Sequence, residues 1–324
     1  MKRTTDNKIV LIVRPTRTDD LKARFNTLGQ ARFYIEHQGA DFSDYLQEDE
    51  HYKTAMVKAQ TVLSNLGRVH LLQRKFLPNF VFGPQDIVVV LGQDGLVANT
   101  VKYLNGQPVI GVNPDPQRWE GILLPFQVTD LPKIIPDVFA QRRRVKEVTM
   151  AKATLNNGQV LYAVNDLFIG PKSHISARYL IKIGNREEQQ SSSGIIISTG
   201  LGATGWFKSL MAGATGITQA LLAQRMVKVD NFQTAVNSPP LICPQVPWDA
   251  DYLYFTVREP FPSTISTANL VFGKITPPQP LLIVSQMPEH GVIFSDGIEE
   301  DFLEFNSGTR ATMELAEKRG YLVV

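Results

Sequence analysis

The chain has 324 residues, 43% hydrophobic and 20% charged, with 33 Lys and Arg against 31 Asp and Glu for a net charge of +2. That length exceeds one typical core and predicts two domains, while the near-neutral balance excludes a strong polyanion-binding field and with it a nucleic-acid partner. No apolar run reaches the length of a membrane span, the N-terminus lacks the apolar core of a signal peptide, and the single cysteine, Cys243, can close no intrachain disulfide, which together predict a cytoplasmic protein without a membrane partner.

In chain order, Lys8 to Arg14 reads as a first strand, its apolar run Ile9 to Val13 ending at Pro15. A helix is expected from about Asp19, and a second where Tyr52, Met56, Ala59, Leu63 and Leu66 recur at helical spacing until Gly67 stops it. Strands follow at Val69 to Leu72 and Ile87 to Leu91, then a helix at Val97 to Leu104 and a strand at Val109 to Val112. This alternation predicts an α/β domain over residues 1–143. The basic run Arg142-Arg143-Arg144 with Lys146 reads as a solvated segment between domains.

Beyond residue 144 the pattern turns to short β segments: Val148 to Leu155, Val160 to Val164, Ala177 to Ile183, Gly194 to Ser198, Leu253 to Val257, Leu281 to Val284 and Val292 to Phe294. Turn signals such as Asn156-Asn157-Gly158 and Gly184-Asn185 separate them, one helix is expected between Trp206 and Leu222, and Ser238-Pro239-Pro240 and Thr276 to Pro280 read as proline-rich turns. Residues 144–324 therefore form a predominantly β domain.

Three segments carry chemistry. The strand Ile87 to Leu91 breaks into Gly92-Gln93-Asp94-Gly95 before a helix. There, glycines let backbone amides approach a phosphate and a carboxylate can accept a proton, although Asp-Gly is also ordinary turn chemistry. Gly194 to Trp206 again runs from a strand into small and hydroxylic residues, and Gly200 to Gly205 matches G-x-G-x-x-G with Asp230 downstream. A dinucleotide fold is discounted because this match lies in the β-rich half; the hydroxyls of Ser198, Thr199 and Thr204 suit phosphate or ribose contacts, or capping of the helix. In the third segment, Tyr162 to Gly170, Asn165 and Asp166 interrupt an apolar strand, so they close a turn or bulge or face a ligand. Asp296-Gly297 reads as a simple turn. No Walker A pattern is present, and His37, His51, His70, His174 and His290 show no metal-ligand spacing.

Taken in order, these segments resemble the NAD kinase family, whose signature is a G-G-D-G loop, then N-E or N-D, then S-T-P-T-G-S-T-A-Y. Here they stand as Gly92-Gln93-Asp94-Gly95, Asn165-Asp166 and Ser198 to Trp206. Pro108 to Pro116 with Glu120-Gly121, Val257-Arg258-Glu259-Pro260 and Phe305-Asn306-Ser307-Gly308 are similar to segments of the mitochondrial-type branch. The resemblance implies a Rossmann-like α/β domain followed by a β-sandwich-like one, with the C-terminal tail returning to the first. It implies phosphate transfer from ATP with Mg²⁺ to the 2′-hydroxyl of NAD, in a homo-oligomer, dimer or tetramer. Asp94 stands for the general base, Gly92, Gln93 and Gly95 for the phosphate loop, and Asn165, Asp166, Thr199, Gly202, Thr204 and Trp206 for the NAD contacts; no metal ligand from the chain is implied. Gln93 departs from the second glycine of the loop, Leu96 from a threonine, Ser193 from an aspartate and Trp206 from tyrosine. The alternatives are a kinase of a sugar, lipid or other polyol, and a catalytically weak NAD(P)-binding sensor.

Overall fold

A computed structural model describes residues 7–226 and 245–324; Cys243, Asp230 and the expected Ser238-Pro239-Pro240 turn lie outside them. The chain divides into two compact units, residues up to Glu147 together with Gly320–Val324, and Val148–Arg319.

The first unit begins with β1 (Lys8–Val13), α1 (Arg17–Phe25), α2 (Leu28–His37), α3 (Ser43–Leu66) and β2 (Arg68–Gln73). It continues with β3 (Ile87–Leu91), α4 (Asp94–Val101), β4 (Pro108–Val112) and α5 (Leu131–Phe139). β1 pairs in parallel with both β2 and β3, β3 with β4, and Tyr321 and Leu322 of β16 (Arg310–Val323) with Pro108 and Val109. Helices on a parallel sheet bury its strands from both sides, which is why Ile9 to Ile12 and Val88 to Leu91 are wholly buried without alternation. The chain leaves β1 toward β2 and then resumes on the other side of β1 with β3, so the sheet has its topological switch between β1 and β3. Crevices at the carboxyl ends of such a pair are where open α/β sheets take ligands.

The second unit contains β5 (Val145–Leu155, from Val148), β6 (Val160–Ala163), β7 (Asp166–Pro171), β8 (Ala177–Ile183), β9 (Arg186–Ser192) and β10 (Ile195–Ser198). After α6 (Trp206–Met226) come β11 (Leu253–Val257), β12 (Phe272–Ile275), β13 (Leu281–Ser285), β14 (Gly291–Ser295), β15 (Ile298–Glu304) and the start of β16. One antiparallel sheet has the order β12-β11-β10-β7-β14-β15. Its inward residues Leu167, Ile169, Ile195, Ile197, Phe255 and Ile293 share a core with Tyr179, Ile181, Ile283 and Met313 from β8, β13 and β16. This is a sandwich, α/β followed by β as expected. α4 starts at Asp94 rather than Val97, and the polar strand β9, with sequence REEQQSS, carries no apolar pattern that could announce it.

The segment Tyr162 to Gly170 is neither one interrupted strand nor a bulge. β6 pairs with β5, whereas β7 pairs with β10 and β14, so the bend at Val164-Asn165 is the corner at which the chain passes from one sheet to the other. A corner exposes backbone groups that no ladder pairs, and polar residues collect there to satisfy them.

Candidate functional site

Two sets of residues are built separately, one in each unit. In the first, the carboxyl end of β3 delivers Gly92 and Gln93 beside the end of β1. A Cβ on Gly92 would stand 2.9 Å from Leu96 Cδ2 and 3.9 Å from Arg14 Cδ. Arg14 is itself fixed: its Nη2 donates to Glu48 at 2.9 Å, its amide donates to the Tyr52 hydroxyl at 2.9 Å, and that hydroxyl donates to the Leu91 carbonyl at 2.8 Å. Glu48 also receives Arg17, which together with Arg14 holds its carboxyl below the usual range against the cost of burial.

Gln93 is the N-cap of α4 and its side chain makes no capping bond; its carbonyl accepts the Leu96 amide at 2.9 Å, so the amides left open at the helix start are those of Asp94 and Gly95. A Cβ at Gly95 meets nothing within 4 Å, so packing within the protein does not demand glycine there. Close approach by a ligand to the helix start would demand it.

Asp94 is the first residue of α4, and it looks toward the loop after β4. Leu123 and Ile122 donate their amides to Oδ1 and Oδ2 of Asp94 at 2.8 and 3.3 Å. The loop comes that close because β4 has glycine beneath it: a Cβ on Gly111 would lie 1.9 Å from the Leu123 carbonyl oxygen. Gly121, at φ +66°, makes the turn that starts the loop. One carboxylate is thus oriented by two amides and keeps acceptor capacity for a proton or a hydroxyl.

In the second unit the Val164-Asn165 corner and the Ser198 to Trp206 loop are locked together. The Thr199 hydroxyl donates to the Val164 carbonyl at 2.6 Å and its amide donates to the Asn165 carbonyl at 3.0 Å. A Cβ on Gly202 would stand 1.9 Å from that same Asn165 oxygen. Thr199 and Gly202 are buried and turned toward Asn165, while Thr204 is exposed with its hydroxyl on the Leu201 carbonyl at 2.9 Å. Trp206, 37% exposed, stacks on Phe168 at 5.8 Å between ring centroids, and the Arg258 guanidinium lies 5.4 Å from the Trp206 ring.

Asp166 is buried at 8% exposure, and burial, then the nearby Asp296 charge, pushes its carboxyl up to about 7. Asp296 occupies the hairpin turn between β14 and β15 and accepts the amides of Val164, Asn165 and Asp166. Among the described residues no three His, Cys, Asp or Glu side chains converge into a metal cage.

The chain aligns with an NAD kinase from Heliobacterium modesticaldum at 29% identity over 168 residues, 49% of this chain and 57% of that protein. A second match is the mitochondrial NADH kinase POS5 of Saccharomyces cerevisiae, 25% identical over 166 residues, 49% of this chain and 39% of the relative. The chain thus spans between two fifths and three fifths of the curated relatives it matches. No family model matches it. In fold it is similar to yeast NADH kinase complexed with NADH, with a TM-score of 0.54 at 15% identity over 99% of this chain and 84% of that one. An NAD kinase from Archaeoglobus fulgidus in complex with ATP gives a TM-score of 0.55 at 13% identity, over 98% and 93% of the two chains. In sequence and in fold the chain is thus similar to NAD and NADH kinases.

Against the family signature, the structure brings Asn165, Asp166, Thr199 and Gly202 into one hydrogen-bonded cluster and sets Gly92, Gln93, Asp94 and Gly95 at the switch of the parallel sheet. Sequence reasoning missed Asp296, which it took for a turn alone, and the pairing of Asp94 with Ile122 and Leu123. The signal available for the first was an Asp-Gly pair closing a hairpin; for the second it was glycine at both 111 and 121. No helix among the described residues is long and apolar enough to cross a membrane.

Proposed function

We propose that the chain transfers the γ-phosphoryl group of ATP to the 2′-hydroxyl of NAD or its reduced form, giving NADP(H) and ADP. The observation that carries this reading is Asp94: a carboxylate at the start of α4, beside the open amides of Asp94 and Gly95, oriented by the Leu123 and Ile122 amides at the carboxyl edge of the sheet. As the hydroxyl oxygen bonds to the γ-phosphorus, Asp94 accepts its proton and the bond from phosphorus to the β,γ-bridging oxygen breaks with ADP as leaving group. Gly92, Gln93 and Gly95 offer backbone to the phosphates. Asn165 and Asp166 hold the NAD, Thr199 and Gly202 act by fixing Asn165, and Thr204 and Trp206 complete the contacts, with Trp206 supplying a stacking face.

Mg²⁺ would enter with the triphosphate, since this ion keeps several waters and binds through substrate phosphates rather than all-protein cages. The matched relatives, named as NAD and NADH kinases, support NAD(H) over a sugar, lipid or other polyol as acceptor. We further propose a cytoplasmic homo-oligomer, a dimer or tetramer.

The test is incubation with ATP and Mg²⁺ and either NAD or NADH, assayed for NADP(H), with Asp94→Asn alongside. Asparagine keeps the shape but cannot take the proton, so product formation is lost while NAD binding persists. Near-normal turnover by Asp94→Asn removes Asp94 as base.

A further inference from the structure

We propose that Asp296 is a positioning residue for NAD(H) recognition, its carboxylate clamping the sheet-crossing corner that presents Asn165 and Asp166. The inference rests on the NAD(H) reading of that pair. Three successive amides converge on one side chain: Asn165 N donates to Oδ1 at 2.6 Å, Val164 N at 3.0 Å and Asp166 N at 3.4 Å, and Val164 N also reaches Oδ2 at 3.1 Å. The Asp296 amide answers by donating to the Asp166 carbonyl at 3.0 Å. Successive amides gathered on an anion form a nest, and here the anion is supplied by the protein itself.

The turn does not require this. Asp296 and Gly297 sit at φ +54° and +69° between Ser295 and Ile298, the pair of left-handed residues that a two-residue hairpin demands. Asparagine serves that turn as well as aspartate does. What aspartate adds is charge: both oxygens accept, and charge-assisted bonds are about twice as strong as neutral ones.

That charge also acts on Asp166. Its carboxyl takes no hydrogen bond from the described residues, and Asp296 is the charged group whose field reaches it. On the opposite flank β10 supplies Ser198, paired with Asp166 in the ladder, and Thr199 follows it; both are hydroxyls. With its proton held to about pH 7, Asp166 can donate a hydrogen bond where an ordinary aspartate accepts only. Asp296 therefore shapes the corner and, added to burial, favours the protonated form of Asp166 that can donate to the substrate.

Two variants separate the effects. Asp296→Ala removes the clamp, and the NAD KM is expected to rise about tenfold with kcat changed by less than about threefold, the loss of charge-assisted bonds being read through substrate binding. Asp296→Asn keeps the turn and one acceptor oxygen, so the KM rises less, but the midpoint of the pH dependence of KM moves acidward. The ¹³Cγ titration of Asp166 in the ligand-free protein reports the same shift without any substrate, from near 7 in the parent to a lower value in Asp296→Asn. An unmoved Asp166 midpoint in that variant, or a folded Asp296→Ala whose KM stays within about twofold of the parent, overturns the proposal. If the parent makes no NADP(H), the NAD(H) reading fails and with it the recognition role. The carboxyl titration still decides whether Asp296 controls Asp166.

Discussion

Gly111→Ala is a substitution outside the proposed substrate contacts that ought to disable the proposed base. The added Cβ would meet the Leu123 carbonyl oxygen at 1.9 Å, whereas ordinary contact begins at 3.4 Å, so the loop must retreat by about 1.5 Å. The Leu123 amide, now 2.8 Å from Asp94, is carried to about 4 Å, beyond hydrogen-bond range, and Ile122 goes with it. Two bonds to a carboxylate are forfeited, with an expected loss of about 2–4 kcal/mol of stability. Asp94 is then free to rotate, and displacements of this size cost about a hundredfold in turnover. Urea denaturation measures the first effect and NADP(H) formation under saturating ATP and NAD the second. Gly95→Ala is the companion: its Cβ meets nothing within 4 Å, so stability holds or improves by up to about 1 kcal/mol while phosphate approach is blocked and turnover falls. A stable Gly111→Ala with full turnover refutes the argument that the loop orients Asp94, and an active Gly95→Ala refutes the argument that a ligand occupies the open space.

Gln93→Gly is expected to raise turnover with little change in NAD affinity, because its side chain makes no capping bond and its removal opens the phosphate loop; a fall in turnover would make Gln93 a positive contact to the donor. Asn165→Ala should weaken NAD binding, measured by thermal shift across NAD concentrations, and unchanged binding would leave the corner purely structural. Asp166 carries a folded pKa of about 7, above its ordinary value, so the native chain holds this proton more tightly than the unfolded one. Its stabilising contribution is full below about pH 4 and is lost as pH rises through 7, by up to about 4 kcal/mol. Urea melts of Asp166→Asn should lack this component of the slope between about pH 4 and 7, and an identical slope in parent and variant would contradict the assignment.

Much of the architecture was legible because parallel strands buried on both faces write themselves as unbroken runs. Ile9 to Val13 and Ile87 to Leu91 both read so, and the break at Gly92 marks the carboxyl end of β3. The three signature segments were legible in order, but their internal logic was not. Thr199 offered a hydroxyl that sequence could assign to ligand or cap, and it is spent on the Val164 carbonyl. Asn165-Asp166 read as an interruption because adjacency in sequence hides that β6 and β7 belong to different sheets. Asp296 lies 130 residues from Asp166 and makes its bonds to backbone amides; a contact with backbone leaves no trace in the identity of the residue contacted. β9 escaped because both of its faces are largely polar, which removes the alternation a strand reading needs.

The return of Gly320–Val324 to the first unit has a consequence for biosynthesis. Val323 is wholly buried in the same core as Ile9, Leu63 and Val89, so β4 gains this neighbour only after residues 148–319 of the second unit have been made. Until then β4 presents an open edge, the kind of surface that invites pairing with another chain. A chain cut before Gly320 is therefore expected to aggregate through the open β4 edge, and a chaperone that shields that edge would need to hold it until residues 148–319 have been made.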